Sequence, residues 1–184
     1  TAHKNTAIGY ATLENNTTGA NNVALGFNAL NDNTTASHNT AVGFDALSVN
    51  TTGDTNAAFG SYALDANTTG DQNVAVGHNA LGANTTASYN TAVGERAMLV
   101  NTTGAQNVAV GRGALQANTT ASYNIAVGYQ ALAANTTGAY NVAVGANAGD
   151  ALTTNSHNTF IGHNSGSATD GANNNTAVGS ASLF

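Results

Sequence analysis

Cysteine, proline and tryptophan are absent from all 184 residues, and only 7% of positions are charged, against roughly 25% in an ordinary domain. Without cysteine there is no disulfide framework, no CxxC redox pair and no thiolate zinc site. Three Lys+Arg and a net charge of −6 leave no basic patch with which to neutralise phosphates, which argues against a nucleic-acid partner. Apolar runs are only a few residues long, so no segment reads as a membrane-spanning helix. What remains is narrow. Ala (37), Asn (29), Thr (27) and Gly (21) make up 114 residues, about 62% of the chain. Low charge and few aromatics are the composition of disorder, but the order of the residues contradicts it.

The chain repeats every 17 residues. Glycine recurs without gap or insertion at Gly9, Gly26, Gly43, Gly60, Gly77, Gly94, Gly111, Gly128, Gly145, Gly162 and Gly179. Four residues before each stands asparagine: Asn5, Asn22, Asn39, Asn56, Asn73, Asn90, Asn107, Asn124, Asn141, Asn158 and Asn175. The consensus is N-[T/V]-A-[V/I/L]-G-x-x-A-L-x-x-N-T-T-[G/A]-x-x. Ala stands two before the glycine in all copies but one, where Phe160 replaces it, and Phe59 is the one non-aliphatic residue directly before a glycine. The Asn-Thr-Thr triplet runs through eight copies, from Asn16 to Thr137. Only the C-terminal copies (146–184) drift. There the triplet becomes Leu152-Thr153-Thr154-Asn155 and then Thr169-Asp170-Gly171, while the whole of 1–184 reads as one repeat domain.

These residues do not favour helix: Gly costs about 1 kcal/mol in a helix interior, and Asn and Thr are poor formers. The segment before each glycine alternates, as in Val74-Ala75-Val76 and Ile125-Ala126-Val127, which is a strand signal. The glycine then permits a bend. A second short strand or a turn is expected at Ala-Leu, and a turn at Asn-Thr-Thr-Gly. One 17-residue unit cannot enclose a core, but stacked units can. The expected architecture is therefore all-β: a parallel β-solenoid of eleven 17-residue coils, on the order of 50 Å long at the usual strand spacing. In strict phase the asparagine column becomes a ladder that hydrogen-bonds from coil to coil.

The run Asn-x-Ala-Val-Gly-x-x-Ala, as in Asn73–Ala80 and Asn124–Ala131, resembles the head repeats of YadA-like trimeric autotransporter adhesins. The longer run from Asn124 to Gly138 resembles repeats of phage tail-fibre and bacterial surface proteins. The resemblance spans essentially the whole chain. It implies a left-handed β-roll, although parallel crossovers are usually right-handed, and it implies a homotrimer. The unit here is longer than in the adhesin heads and carries the extra Asn-Thr-Thr arm. Both ends fall inside a repeat and neither reads as a cap, so a segment of a longer fibre is expected.

Candidate chemistry is sparse. The five histidines (His3, His38, His78, His157, His163) fall in three columns and never in one column on adjacent coils, which does not make a metal site. Asp54 and Asp71 share a column on adjacent coils; solvated repulsion and a calcium site are the two readings. Glu95 and Arg112 are one coil apart in register and read as a cross-strand ion pair. Aromatics follow one another at Tyr10, Phe27 and Phe44, and at Tyr123, Tyr140 and His157, with Tyr89 further along the latter column. They read either as stacking for stability or as a contact surface for a sugar or a protein. The Asn-Thr-Thr triplets match the glycosylation sequon, but in register they stand one strand spacing apart, too close for full occupancy. If the arm is extended, Asn16, Asn33 and Asn50 would point the same way as Thr18, Thr35 and Thr52, giving a flat face of the ice-binding kind.

No nucleophile–base pair, paired catalytic carboxylates or phosphate loop stands out, so no enzyme activity and no cofactor or metal is expected. The expected function is a structural or adhesive fibre segment: an extracellular filament, a surface adhesin or a phage tail fibre. Its expected partners are copies of itself, as a trimer or helical filament, and a cell-surface glycan or host receptor. Ice binding and carbohydrate binding are the alternatives.

Overall fold

The three residues before each column glycine are extended and pair with the same three residues one repeat later. This holds through all eleven strands of the computed structural model, which describes residues 2–167 and 172–183. The strands are β1 (Thr6–Ile8), β2 (Val23–Leu25), β3 (Thr40–Val42), β4 (Ala57–Phe59), β5 (Val74–Val76), β6 (Thr91–Val93), β7 (Val108–Val110), β8 (Ile125–Val127), β9 (Val142–Val144), β10 (Thr159–Ile161) and β11 (Thr176–Val178). They form one parallel sheet in sequence order. Thr6 pairs with Val23, Ala7 with Ala24 and Ile8 with Leu25, and the 17-residue step holds to the last pair, Ile161 with Val178. No helix occurs among the described residues. The molecule is a parallel β-solenoid.

Each strand points its middle residue inward and its outer two outward, as the pleat requires. The inward column is alanine, fully buried from Ala24 to Ala143. The glycine that follows has a backbone only glycine adopts readily, with Gly77 at φ +133°. A Cβ there would also lie 2.6 Å from the carbonyl oxygen of Gly94 in the next coil. Both the bend and the close stacking of coils therefore exclude a side chain.

Beyond the glycine comes a turn rather than a second strand. The residue two after the glycine and the leucine four after it are both left-handed, for example Asn79 (φ 56°) and Leu81 (φ 53°). Consecutive residues of a strand face opposite ways, whereas here Ala80 and Leu81 are both fully buried. The two left-handed residues together cost about 2–4 kcal/mol, which burial of the leucine, worth about 1.5–3 kcal/mol, offsets in large part. The core is accordingly two alanine columns and one leucine column, with Met98 in the leucine column.

The C-terminal drift is a rearrangement of that core. Leucine gives way to Gly149 and Gly166 in its column, and Phe160 replaces alanine in the strand column. The Phe160 ring is fully buried and occupies the space those two leucines would fill. A Cβ on Gly149 would come within 2.8 Å of its Cδ2, and one on Gly166 within 2.6 Å of its Cγ. One large side chain thus serves two coils. The variant triplet at Thr169-Asp170-Gly171 lies outside the described residues.

Candidate functional surfaces

Two asparagine columns run inside the rod and share an acceptor. In the column four before the glycine, Asn73 accepts the backbone N–H of Asn90 on its Oδ1 (3.0 Å) and donates its Nδ2 to the Ala87 carbonyl (2.9 Å). In the triplet column, Asn84 donates to that same Ala87 carbonyl (3.0 Å) and to Asn67 Oδ1 (2.9 Å), while accepting from Asn101 Nδ2 (3.0 Å). The first column is therefore joined mainly through backbone N–H groups, and the second is the amide-to-amide ladder. From Asn22 to Asn158 in the first, and Asn33 to Asn135 in the second, the side chains are buried. The end of the second ladder is visible: Asn135 Oδ1 has no partner, because Leu152 stands where the next asparagine would donate.

This burial corrects one expectation about the triplet. The flat face pairing Asn with Thr does not form, since Asn33 and Asn50 point into the core. From Thr34 to Thr136 the first threonine is half-buried and spends its hydroxyl on the next coil, as in Thr68 Oγ1 to the Thr85 carbonyl (3.0 Å). The second threonine, such as Thr69 or Thr86, is exposed. The sequon amides are likewise engaged within the rod rather than presented to solvent.

The aromatic residues form two separate stacks. Tyr10, Phe27 and Phe44 lie ring on ring at 5.1 Å, and Tyr62 and His78 extend the line edge-on at 5.4 and 6.0 Å. Tyr123, Tyr140 and His157 stack at 4.9 and 5.1 Å, the first pair only 3° from parallel. Tyr89 belongs to neither stack; its hydroxyl receives the Gln72 side chain at 3.3 Å. Because the rings lie face to face along the rod, the interior rings have spent the faces a sugar would stack upon, and only the terminal rings offer one. Tyr62 was not legible as a member because it stands one residue outside the aromatic column, on a left-handed backbone (φ 57°) that turns it back towards the stack.

Asp54 and Asp71 bond to the chain's own backbone. Asp54 Oδ1 accepts the N–H of Ser37 (2.6 Å), and Asp71 Oδ1 accepts that of Asp54 (2.7 Å). Ser37, Ser88, Ser122 and Ser156 do the same work in this column. The two carboxylates thus stand in for serine hydroxyls and do not converge. Among the described residues no three acidic or histidine side chains gather to hold a metal, and the surface forms no pocket. All five histidines are exposed. The carboxyl of Asp65 titrates above its ordinary range: burial raises its pKa, against lowering by the N–H groups of Asp65 and Ala66, and nearby Asp45 raises it further.

Two surface features stand apart. On the outward side of the sheet the column directly before the glycine is apolar throughout, with Ile8 60%, Leu25 43%, Phe59 41%, Val76 37% and Val178 67% exposed, while the other column mixes Val, Ile and Ala with Thr6, Thr40, Thr91, Thr159 and Thr176. The two columns, from Thr6 to Thr176 and from Ile8 to Val178, contain no charged residue. Just beyond the glycine bend, Glu95 pairs with Arg112 (3.2 Å) and more loosely with Arg96 (3.8 Å). The Arg112 guanidinium also lies 5.9 Å from the centre of the Tyr129 ring. Searches against protein-family models, curated proteins and solved structures find no match to this chain.

Proposed function

We propose that this chain is a non-enzymatic fibre segment of an extracellular filament, cell-surface adhesin or virion, whose copies associate side by side through the outward face of the sheet. The observation that carries this reading is the uncharged, largely apolar strip on β1–β11. At the usual strand spacing it is about 50 Å long and roughly 10 Å wide, or on the order of 500 Å². That is near the upper end of the largest patch on a typical monomer, and two such strips together reach the ~1,000 Å² a specific interface requires. Ladders in every coil make the rod stiff, which suits projection and attachment. A glycan or host receptor would be met by the columns that vary from coil to coil. The resemblance to trimeric β-rolls supports three copies.

Sedimentation of the purified chain tests the reading. An oligomer is expected at micromolar concentration, and V76K with V110K, which place charge in the strip, should dissociate it without altering the β spectrum. A chain that sediments as a monomer at those concentrations refutes it.

A further inference from the structure

Gly82 is a glycine without a conformational reason. Its φ is not positive, unlike that of the column glycine Gly77, and its own column elsewhere holds residues as different as Leu99, Gln116 and Ala133. What the missing side chain leaves is a convergence of oxygens. A Cβ on Gly82 would have Asp65 Oδ1 at 3.3 Å, the Asn79 carbonyl oxygen at 3.5 Å and Asn79 Oδ1 at 3.6 Å as its three nearest neighbours outside the adjoining residues. The Asp65 oxygen is buried and accepts no hydrogen bond, which is costly for a charged group. Asn79 engages a ring nitrogen of His78 with its Nδ2 (3.2 Å), so its Oδ1 is the end turned to Gly82. Asp45 brings a second negative charge close enough to act on Asp65. Acceptors gathered round one point repel one another unless a donor or a cation stands between them.

We propose that Asp65 Oδ1, Asn79 Oδ1 and the Asn79 carbonyl oxygen bind a calcium ion beside Gly82, with Asp45 adding to the negative field. Carboxylate, amide and backbone carbonyl oxygens are the ligands calcium takes, and its adaptable coordination lets water complete the shell at this half-buried turn. Magnesium suits the arrangement less, because it demands near-ideal octahedral geometry and gives up its water reluctantly. With so few oxygens from the chain the affinity is that of the weak extracellular sites, a Kd on the order of 10⁻⁴–10⁻³ M. The ion links the coil of Asp65 to the next, at a turn where the carboxylate otherwise has no partner on that oxygen. Asp150 is an internal control. Its Oδ1 is also buried without a partner, but Ser167 stands in the place of Gly82 and Gln130 in the place of Asp45.

Calorimetric titration of calcium chloride into the chelator-stripped chain tests the site, with circular dichroism to confirm that each variant keeps the β spectrum. Saturable binding is expected in the parent. G82A sets a methyl at the point of convergence, on a column that already accepts Ala133, and D65N removes the ligand charge. Each should weaken binding by about tenfold or more, while N79D, which adds charge to a ligand, should tighten it by roughly threefold or more. D150N should bind as the parent does. A parent that takes up no calcium overturns the proposal, and so does parental affinity in G82A or D65N. N79D that binds no tighter also overturns it, since Asn79 would then be offering Asp65 its amide nitrogen rather than its oxygen. Equal losses in D150N and D65N overturn it as well, because calcium would then be screening the net charge of −6 without occupying a site.

Discussion

Phe160 and the two glycines beside it should behave as one unit. The perturbation is F160A, which restores the alanine every other copy has at that column. In an ordinary coil this residue would be correct, because the leucine four after the glycine fills the remaining space. Here Gly149 and Gly166 leave that space empty of leucine, and the fully buried ring fills it from the strand side. Removing it should cost about 3–5 kcal/mol, the usual range for Phe to Ala in a core. In a stacked fold each coil contacts only its neighbours, so the loss should appear as fraying of β9–β11 while β2–β7 hold. Hydrogen exchange by strand is the suitable assay, with denaturant unfolding for the total.

The compensating changes sharpen the argument. G149L alone should destabilise by about 1–3 kcal/mol through overpacking, since its Cβ would sit 2.8 Å from Phe160 Cδ2 and 3.0 Å from the mobile end of Leu132. The backbone itself accepts leucine, because Gly149 has φ 60° and Leu132 in the preceding coil has φ 50°. The chain carrying F160A, G149L and G166L rebuilds the consensus coil and should recover most of the stability lost by F160A. Additive losses across these variants would refute the reasoning, since residues sharing one space must show a coupling of about 0.5–3 kcal/mol.

Two further predictions concern the buried polar groups. N73A should cost about 2–4 kcal/mol, because it leaves the buried N–H of Asn90 without its acceptor and removes a bond to Ala87; thermal or urea unfolding reads this directly, and a loss below 0.5 kcal/mol would contradict it. D65N should stabilise the protein at neutral pH and lose that advantage in acid. The folded pKa of Asp65 is raised above 3.8, chiefly by burial, so the folded state binds the proton more tightly and stability falls as pH rises from 3.8 through the folded value. Parallel unfolding curves for the two proteins at pH 3 and pH 7 check the sign, and a D65N advantage that persists at pH 3 would show that ionisation is not the cause.

The 17-residue phase made the stacking legible, because eleven glycines and eleven asparagines without exception leave no other period. The strand before the glycine was legible for the same reason, since Val74-Ala75-Val76 alternates and alternation is a property of extended chain. What could not be read was the direction of side chains wherever the backbone leaves the extended region. The triplet is the clearest case. An extended arm would place Asn33 and Thr35 on one side, yet Asn33 is buried and Thr35 exposed. Nothing in the residue types announces the left-handed positions either: they are held by Leu81, Tyr89, Gln106 and Arg96 as readily as by Asn, although asparagine alone among these tolerates such a backbone easily. Those positions are imposed by closure of the coil and by the coils above and below. The exceptions to the repeat carried information of another kind. Phe160 stood out in the strand column and Gly149 and Gly166 in the leucine column, spread over two coils. Only contact shows that three departures from the consensus are a single exchange of volume, so in a repetitive chain the deviations need to be read together before any of them is taken as a site.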